Sequence, residues 1–315
     1  MRRGCCCTSL LYVSTTLLPN AVESLPGCSL RNVNDLLGPG ATGEAPADLV
    51  SRCGVVLAVF DHHSQDSGNV SWLVRTDHGD LFVKTAGTPD PPPVGAAMPY
   101  FSHSDRIRLL RNAVDLARSC EHPCLARLRN VIESPLGPVL VYDRAPGELV
   151  GTTTSGRADP HSGYQRLAHF PAHQLLADFD DLIDLHRALA RAGWVAGDLY
   201  DGCLILDFTA GRLTVIDLDS YHRGSIINSM GRMFGSTRFM APEEFELGAL
   251  IDQRTTAYTL ARLAWHFGTR LTEQAEQFCG PDPVRAALEQ ALQAEPSERF
   301  ATVGEFAVAW QAARR

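Results

Sequence analysis

A chain of 315 residues with 45% apolar side chains holds enough material for one large folded unit or two modest ones, which excludes wholesale disorder. Its formal net charge of -8, with no Lys/Arg-rich run, excludes the clustered basic surface of a nucleic-acid-binding domain. No stretch reaches the roughly 18 to 20 apolar residues of a membrane span, and nine irregularly spaced cysteines suit a reducing cytoplasm better than a disulfide framework.

Met1-Arg-Arg and an apolar stretch over 5–18 look superficially like an export signal. Hydroxyl residues interrupt the stretch and no small-x-small cleavage site follows, so 1–50 is expected to be a flexible leader. Residues 51–146 are expected to form a sheet-rich unit. Strands are predicted over 55–60, 70–75 and 81–84, joined by polar turns, as an antiparallel meander. The Pro-rich segment 88–100 reads as a loop. Over 105–119, Ile107, Leu110, Val114 and Ala117 recur at helical spacing, with Ser104 as the N-cap. Two more strands follow, over 125–132 and 139–142. Between the helix and these strands, Cys120-Glu-His-Pro-Cys124 could pass for half a metal site, but no second pair at zinc spacing follows, and it reads as a helix end entering a strand.

Residues 147–315 turn mostly helical. A helix opening at Pro171 and closing at Gly193 carries Leu175, Leu176, Phe179, Leu182, Ile183 and Leu189 as one apolar stripe. Strands follow over 203–208 and 213–216, then a helix after Asp252 that is apolar on most faces, and amphipathic helices over 283–294 and 303–313. His161, His169 and His173 lie close in sequence and could suggest a metal; exposed or capping positions account for them.

The chemistry concentrates around the strand pair. Asp198, in Val195-Ala-Gly-Asp-Leu-Tyr-Asp-Gly-Cys203, and Asp217, in Val215-Ile-Asp-Leu-Asp219, flank one hairpin, so both carboxylates can face one pocket. Phosphoryl transfer uses such a pair, one to accept the proton of the attacking hydroxyl and one to hold magnesium. Lys84 ends an apolar strand, where its charge needs a partner such as phosphate.

In this order and spacing the chain, over roughly 55–310, resembles the serine/threonine protein kinase family. Leu81-Phe-Val-Lys84 is similar to the family's strand lysine, and Asp66-Ser-Gly-Asn-Val70 lies where a glycine-rich loop covers phosphates. Val139-Leu-Val-Tyr-Asp-Arg-Ala-Pro-Gly-Glu148 resembles the hinge. Ala196-Gly-Asp198 stands in place of His-Arg-Asp, and Asp217-Leu-Asp219 in place of Asp-Phe-Gly. The most specific stretch, Phe234-Gly-Ser-Thr-Arg-Phe-Met-Ala-Pro-Glu243, resembles the end of an activation segment.

The resemblance implies an α+β, bilobal fold: an antiparallel sheet plus one helix in the N-terminal lobe, a mainly helical C-terminal lobe. It implies ATP and Mg2+ as cofactors. Asp198, Lys84 and Ser236 would be catalytic; Gly68, Lys84, Tyr142, Arg144 and Glu148 would contact the nucleotide, Tyr142 and Arg144 through backbone groups facing adenine. Asp217 and Asp219 would hold the metal, and Glu243 would pair with Arg299.

Four family features are missing. Only Gly68 remains of the glycine-rich loop, Ala113 stands where the helix glutamate should pair with the lysine, Cys203 replaces a metal-binding asparagine, and Asp219 replaces a glycine. The Gly197-Asp-Leu-Tyr-Asp-Gly202 loop is similar to that of aminoglycoside-type phosphotransferases. Three readings follow: a kinase acting on a protein substrate, a phosphotransferase acting on a small hydroxyl compound with Asp178, Asp180 and Asp181 as acidic lining, and a pseudokinase scaffold. The protein substrate is favoured by the activation-segment stretch.

Overall fold

In the computed structural model, residues 34–38, 40–63, 67–77, 79–91 and 98–315 are described. The first part of the expected leader, with Cys5, Cys6, Cys7 and Cys28, lies outside the described residues, as do Asp66 of the phosphate-loop motif and part of the Pro-rich loop. The chain divides into two compact units, one formed by residues up to Val114 with Arg127–Ala145, the other by Asp115–Ala126 with Pro146–Arg315.

The first unit begins with two helices, α1 (Asn34–Leu37) and α2 (Pro46–Cys53). Five strands follow as β1 (Val55–Phe60), β2 (Val70–Thr76), β3 (Gly79–Thr85), β4 (Leu128–Ser134) and β5 (Gly137–Asp143), with α3 (His103–Ser119) between β3 and β4. The sheet is antiparallel throughout, in the order β1-β2-β3-β5-β4. Successive side chains on a strand point to opposite faces. One face carries Trp72, Val74, Leu81, Val83, Ile132, Val139 and Val141, buried against Leu36, Leu49 and Val50. The other carries Leu140, buried against Leu110, Ala113 and Val114.

This arrangement corrects the leader boundary at residue 50. Residues 46–53 are helical because a sheet with apolar side chains on both faces needs a cover for each. Burying Leu49 and Val50 there is worth roughly 1.5–3 kcal/mol per side chain. The helix is only eight residues long, so its periodicity is too brief to stand out in the sequence. The cap of α3 is also corrected: Ser102 Oγ accepts the Asp105 amide at 3.2 Å, and Ser104 lies inside the helix.

The second unit holds β6 (Glu148–Leu149), α4 (Gly163–Ala168), α5 (Ala172–Arg191), β7 (Trp194–Val195), β8 (Leu204–Asp207) and β9 (Arg212–Val215). After these come β10 (His222–Arg223), β11 (Ile226–Ile227), β12 (Leu250–Ile251), α6 (Gln253–Gly268), α7 (Asp282–Ala291) and α8 (Val303–Ala313). The predicted α5 stripe is buried, joined by Leu185 and His186, and packs with α6, α7 and α8 around Phe267, Phe306 and Trp310. Asp252 caps α6, accepting the Arg254 amide at 2.8 Å while Thr255 Oγ1 accepts the Asp252 amide. The short strands β6, β7 and β10 to β12 and the six-residue α4 have no counterpart in the sequence reading, being too brief for a periodic signal. Together the sheet-plus-helix unit and the largely helical unit make an α+β architecture. No helix among the described residues is long and apolar enough to cross a membrane.

The acidic run on α5 is partly committed within the second unit. Asp180 accepts the Trp310 indole at 2.6 Å and the Arg314 guanidinium at 2.9 Å, tying α5 to α8. Asp178 is buried, its Oδ2 finds no hydrogen-bond donor among the described residues, and burial with Asp181 alongside raises its pKa to about 7. Such a carboxyl stays protonated in the folded chain between about pH 4 and 7, where the unfolded chain has released its proton. Stability therefore falls as pH rises through that window. Asp178→Asn is expected to flatten this slope. Urea midpoints should favour the variant increasingly from about pH 5 to about pH 8; parallel curves for the two proteins would refute the assignment.

Candidate functional site

Asp198 follows β7 and precedes the 3-10 turn Asp201–Cys203 that leads into β8; Asp217 follows β9. Both have positive φ, 56° and 61°, in the left-handed region that few side chains adopt. Backbone held there is strained and needs surrounding structure to maintain it, a condition that recurs at functional sites.

Glycine makes the loop around Asp198 possible. A Cβ on Gly197 would lie 2.3 Å from the Ser220 carbonyl oxygen, and one on Gly202 would lie 2.3 Å from the Tyr200 ring. The clash at Gly197 is with backbone, which cannot swing aside. Gly197→Ala is accordingly expected to lower stability by about 1–3 kcal/mol, read as a shift in the urea midpoint; an unshifted midpoint would show that the loop can relax.

Cys203 ties the two loops together: its carbonyl accepts the amide of Ile216, the residue before Asp217, at 2.9 Å. Its thiol donates to the Asp198 carbonyl at 3.4 Å and is fully buried. Its pKa is pushed well above the ordinary thiol range first by burial, then by the charges of Asp217 and Asp198. A thiol held neutral is a poor ligand for a hard cation. Asp217 and, two residues on, the buried Asp219 are oxygen donors of the kind that suits Mg2+.

The stretch 234–243 runs past Asp198. A Cβ on Gly235 would stand 3.6 Å from Asp198 Oδ1, and the next residue, Ser236, is buried. Two residues further, Arg238 forks onto Asp201, three residues after Asp198, at 2.8 and 2.9 Å. Arg238 also lies over the Tyr164 ring at 5.7 Å. From there the contacts continue into α6. The Tyr164 hydroxyl meets His266 Nε2 at 2.6 Å, His266 Nδ1 meets Glu273 at 2.5 Å, and Arg262 links Glu273 back to the Arg238 carbonyl. Burial raises the Glu273 carboxyl, but hydrogen bonds from His266 and Arg262 outweigh it and hold the pKa down to about 2. The result is a closed ring of hydrogen bonds and ion pairs that fixes 234–243 against the loop bearing Asp198. Sequence reasoning missed this ring, because its members are spread from residue 164 to 273 and only folding brings them together.

Glu243 pairs with Arg299 as expected, at 2.7 and 2.9 Å, with both side chains buried. Glu148 pairs with Arg166 on α4.

In the first unit, Lys84 is buried near the end of β3, opposite Ser71 and Leu140. Ala113, in the place of the family's glutamate, is buried with Leu110 and Val114, and Asp115 is exposed. Gly68 has φ 80° and sits against Pro99 and Arg106, where a Cβ would come within 2.7 Å. Arg106 spends its guanidinium on the carbonyls of Ala86, Phe101 and Thr88. Tyr142 is paired in β5 with Phe82. The role expected of Arg144 is corrected: its backbone N–H donates to the Asp80 carbonyl at 3.1 Å, and its side chain pairs with the Asp80 carboxylate at 2.8 Å. That amide is already satisfied and does not present a donor to adenine.

The segments whose cysteines and histidines superficially suggested a metal are occupied otherwise. Cys124 donates to the Leu213 carbonyl, its thiol pushed up to about 12 chiefly by burial, and His122 lies 3.3 Å from Asp184. His161, His169 and His173 are exposed.

No family model matches the chain, and no curated protein is similar to it. The class that the architecture defines is a coarse one: an antiparallel sheet with one long helix, followed by a largely helical unit, as in kinase-like folds.

Proposed function

We propose that the chain is an ATP-dependent phosphotransferase that moves the γ-phosphate to a hydroxyl, with a protein as acceptor. The observation that carries this reading is that Asp198 and Asp217, each at a left-handed backbone position, flank Cys203, whose thiol donates to the Asp198 carbonyl and whose carbonyl accepts the amide of Ile216, the residue before Asp217. Asp198 accepts the proton of the attacking hydroxyl and orients it. Asp217 and Asp219 would hold Mg2+, which would supply positive charge to offset that of the phosphates. Lys84 is the amine that contacts phosphate, and Gly68 permits close approach of backbone. Glu148, committed to Arg166, would reach ribose only by exchanging that partner.

A protein acceptor is supported by the docking of 234–243 through Arg238 and Glu243, since a surface of fixed shape beside Asp198 suits an extended peptide. A small hydroxyl acceptor is the second reading. It is favoured by the Gly197 and Gly202 contacts, which tie the Gly-Asp-Leu-x-x-Gly form to the loop's own packing.

The test is incubation of purified chain with γ-labelled ATP and Mg2+, alone, with a generic protein, and with a panel of small hydroxyl compounds. Label in protein supports the first reading, and label only in a small compound supports the second. No label in either, together with no nucleotide-dependent thermal shift, would overturn both.

A further inference from the structure

Directly after β1 stand Asp61, His62 and His63, which neither the phosphotransferase reading nor the kinase resemblance uses. Each offers one ligand atom, and these three atoms lie within 4.8 Å of one another, a grouping of metal-binding side chains found nowhere else among the described residues. The scaffold beneath them is firm. Phe60, the last residue of β1, is buried, pairs in register with Ser71 of β2 and packs its ring 5.9 Å from that of Phe82. The Asp61 carboxylate is oriented by its own turn. Oδ1 accepts the His63 amide at 2.9 Å, and Oδ2 lies 3.9 Å from His62 Nδ1. The His62 and His63 rings lie side by side, with centroids 3.9 Å apart and planes tilted by 43°.

We propose that Asp61, His62 and His63 form a binding site for a divalent transition-metal ion, with Zn2+ as the fitting occupant and water completing its shell. Zn–N and Zn–O bonds of about 2.0–2.2 Å in a tetrahedral shell put two donors about 3.3–3.6 Å apart, so the 3.9 Å gap between Asp61 Oδ2 and His62 Nδ1 closes on a shared ion with a shift of a few tenths of an ångström. The three donor atoms, within 4.8 Å of one another, must draw together by about 1 Å to share it. Two imidazoles and one carboxylate select borderline ions over Mg2+ or Ca2+, which prefer all-oxygen sets. The site is therefore chemically distinct from the Asp217 and Asp219 pair, and it stands whether or not the chain transfers phosphate. A bound ion would join three consecutive residues at the rim of the sheet and stiffen the turn that connects β1 to β2.

The experiment is a Zn2+ titration of the untagged full chain by equilibrium dialysis with metal analysis, repeated on His62→Ala/His63→Ala and on Asp61→Asn. The nine cysteines can contribute sites of their own. The expected result is accordingly a difference: the double variant binds one equivalent of Zn2+ fewer than the parent, and Asp61→Asn weakens that equivalent at least about tenfold. Ni2+ serves as a second probe, expected to broaden the amide resonances of Phe60 and Ser71 in the parent but not in the double variant. Equal stoichiometry in parent and double variant, or broadening that survives the two substitutions, would overturn the proposal.

Discussion

On the proposed phosphotransferase reading, Asp198→Asn is expected to lower the rate of phosphoryl transfer by roughly 10²–10⁴-fold, the usual worth of a positioned general base, while leaving the KM for ATP within about twofold. The substitution suits the question because it changes little else. Asparagine adopts the left-handed backbone more readily than most residues, so the φ of 56° at this position is kept. The amide has nearly the shape of the carboxylate, so the space beside Gly235 stays filled. The Cys203 thiol bonds to the backbone carbonyl of residue 198, which the variant retains. What disappears is the capacity to take a proton. Steady-state kinetics on parent and variant check this, with a far-UV spectrum and urea midpoint to show that the fold persists. A variant with unchanged kcat would remove Asp198 from the mechanism.

Arg299→Met should destabilise the second unit by about 3–5 kcal/mol, because it strands a buried carboxylate. The Arg299 side chain is 0% exposed and that of Glu243 6%, so water cannot replace the lost partner. Only the Thr255 hydroxyl, 2.7 Å from Glu243 Oε1, would still serve the charge. The guanidinium also closes the carbonyls of Gln293 and Ala294 and lies over the Tyr258 ring at 4.7 Å. Its loss therefore loosens the turn after α7 as well as the 234–243 stretch. Pairing the change with Glu243→Gln removes the stranded charge and should recover a large part of the loss, the sign that desolvation rather than packing dominates. Urea unfolding of the two single variants and the double variant measures this coupling. A single variant within about 1 kcal/mol of the parent would mean that water reaches the pair.

Nearby, the Glu244 carboxyl has its pKa raised to about 7, chiefly by burial, although it accepts the Ala241 amide. Like Asp178, it takes up a proton in the folded state at pH values where the unfolded chain would not. Both groups therefore make the second unit less stable as pH rises from about 4 to 7, and Asp178→Asn removes only its own share of that slope.

Patterns that repeat were legible before any coordinates. Apolar runs bounded by polar turns over 55–60, 70–75 and 81–84 identified the first three strands, because turn residues punctuate a meander. The 3.6-residue stripe from Leu175 to Leu189 identified α5, because a helix with one buried face repeats at that period. The Glu243–Arg299 pair was legible too, but only through motif spacing.

Contacts between distant residues were not legible. Nothing local marks Tyr164, Arg238, His266 and Glu273 as members of one ring, nor Asp178 as a buried acid on a helix where Asp180 and Asp184 find arginines. The commitment of the Arg144 amide to Asp80 depends on how β3 and β5 end beside each other. The sequence by itself thus determined which of the longer segments are helix or strand and which residue types could carry phosphate chemistry, since both follow from periodicity and side-chain chemistry along the chain. Tertiary structure alone decided which polar groups are already satisfied and which charges are buried, because desolvation and hydrogen bonding are set by neighbours that sequence order does not specify.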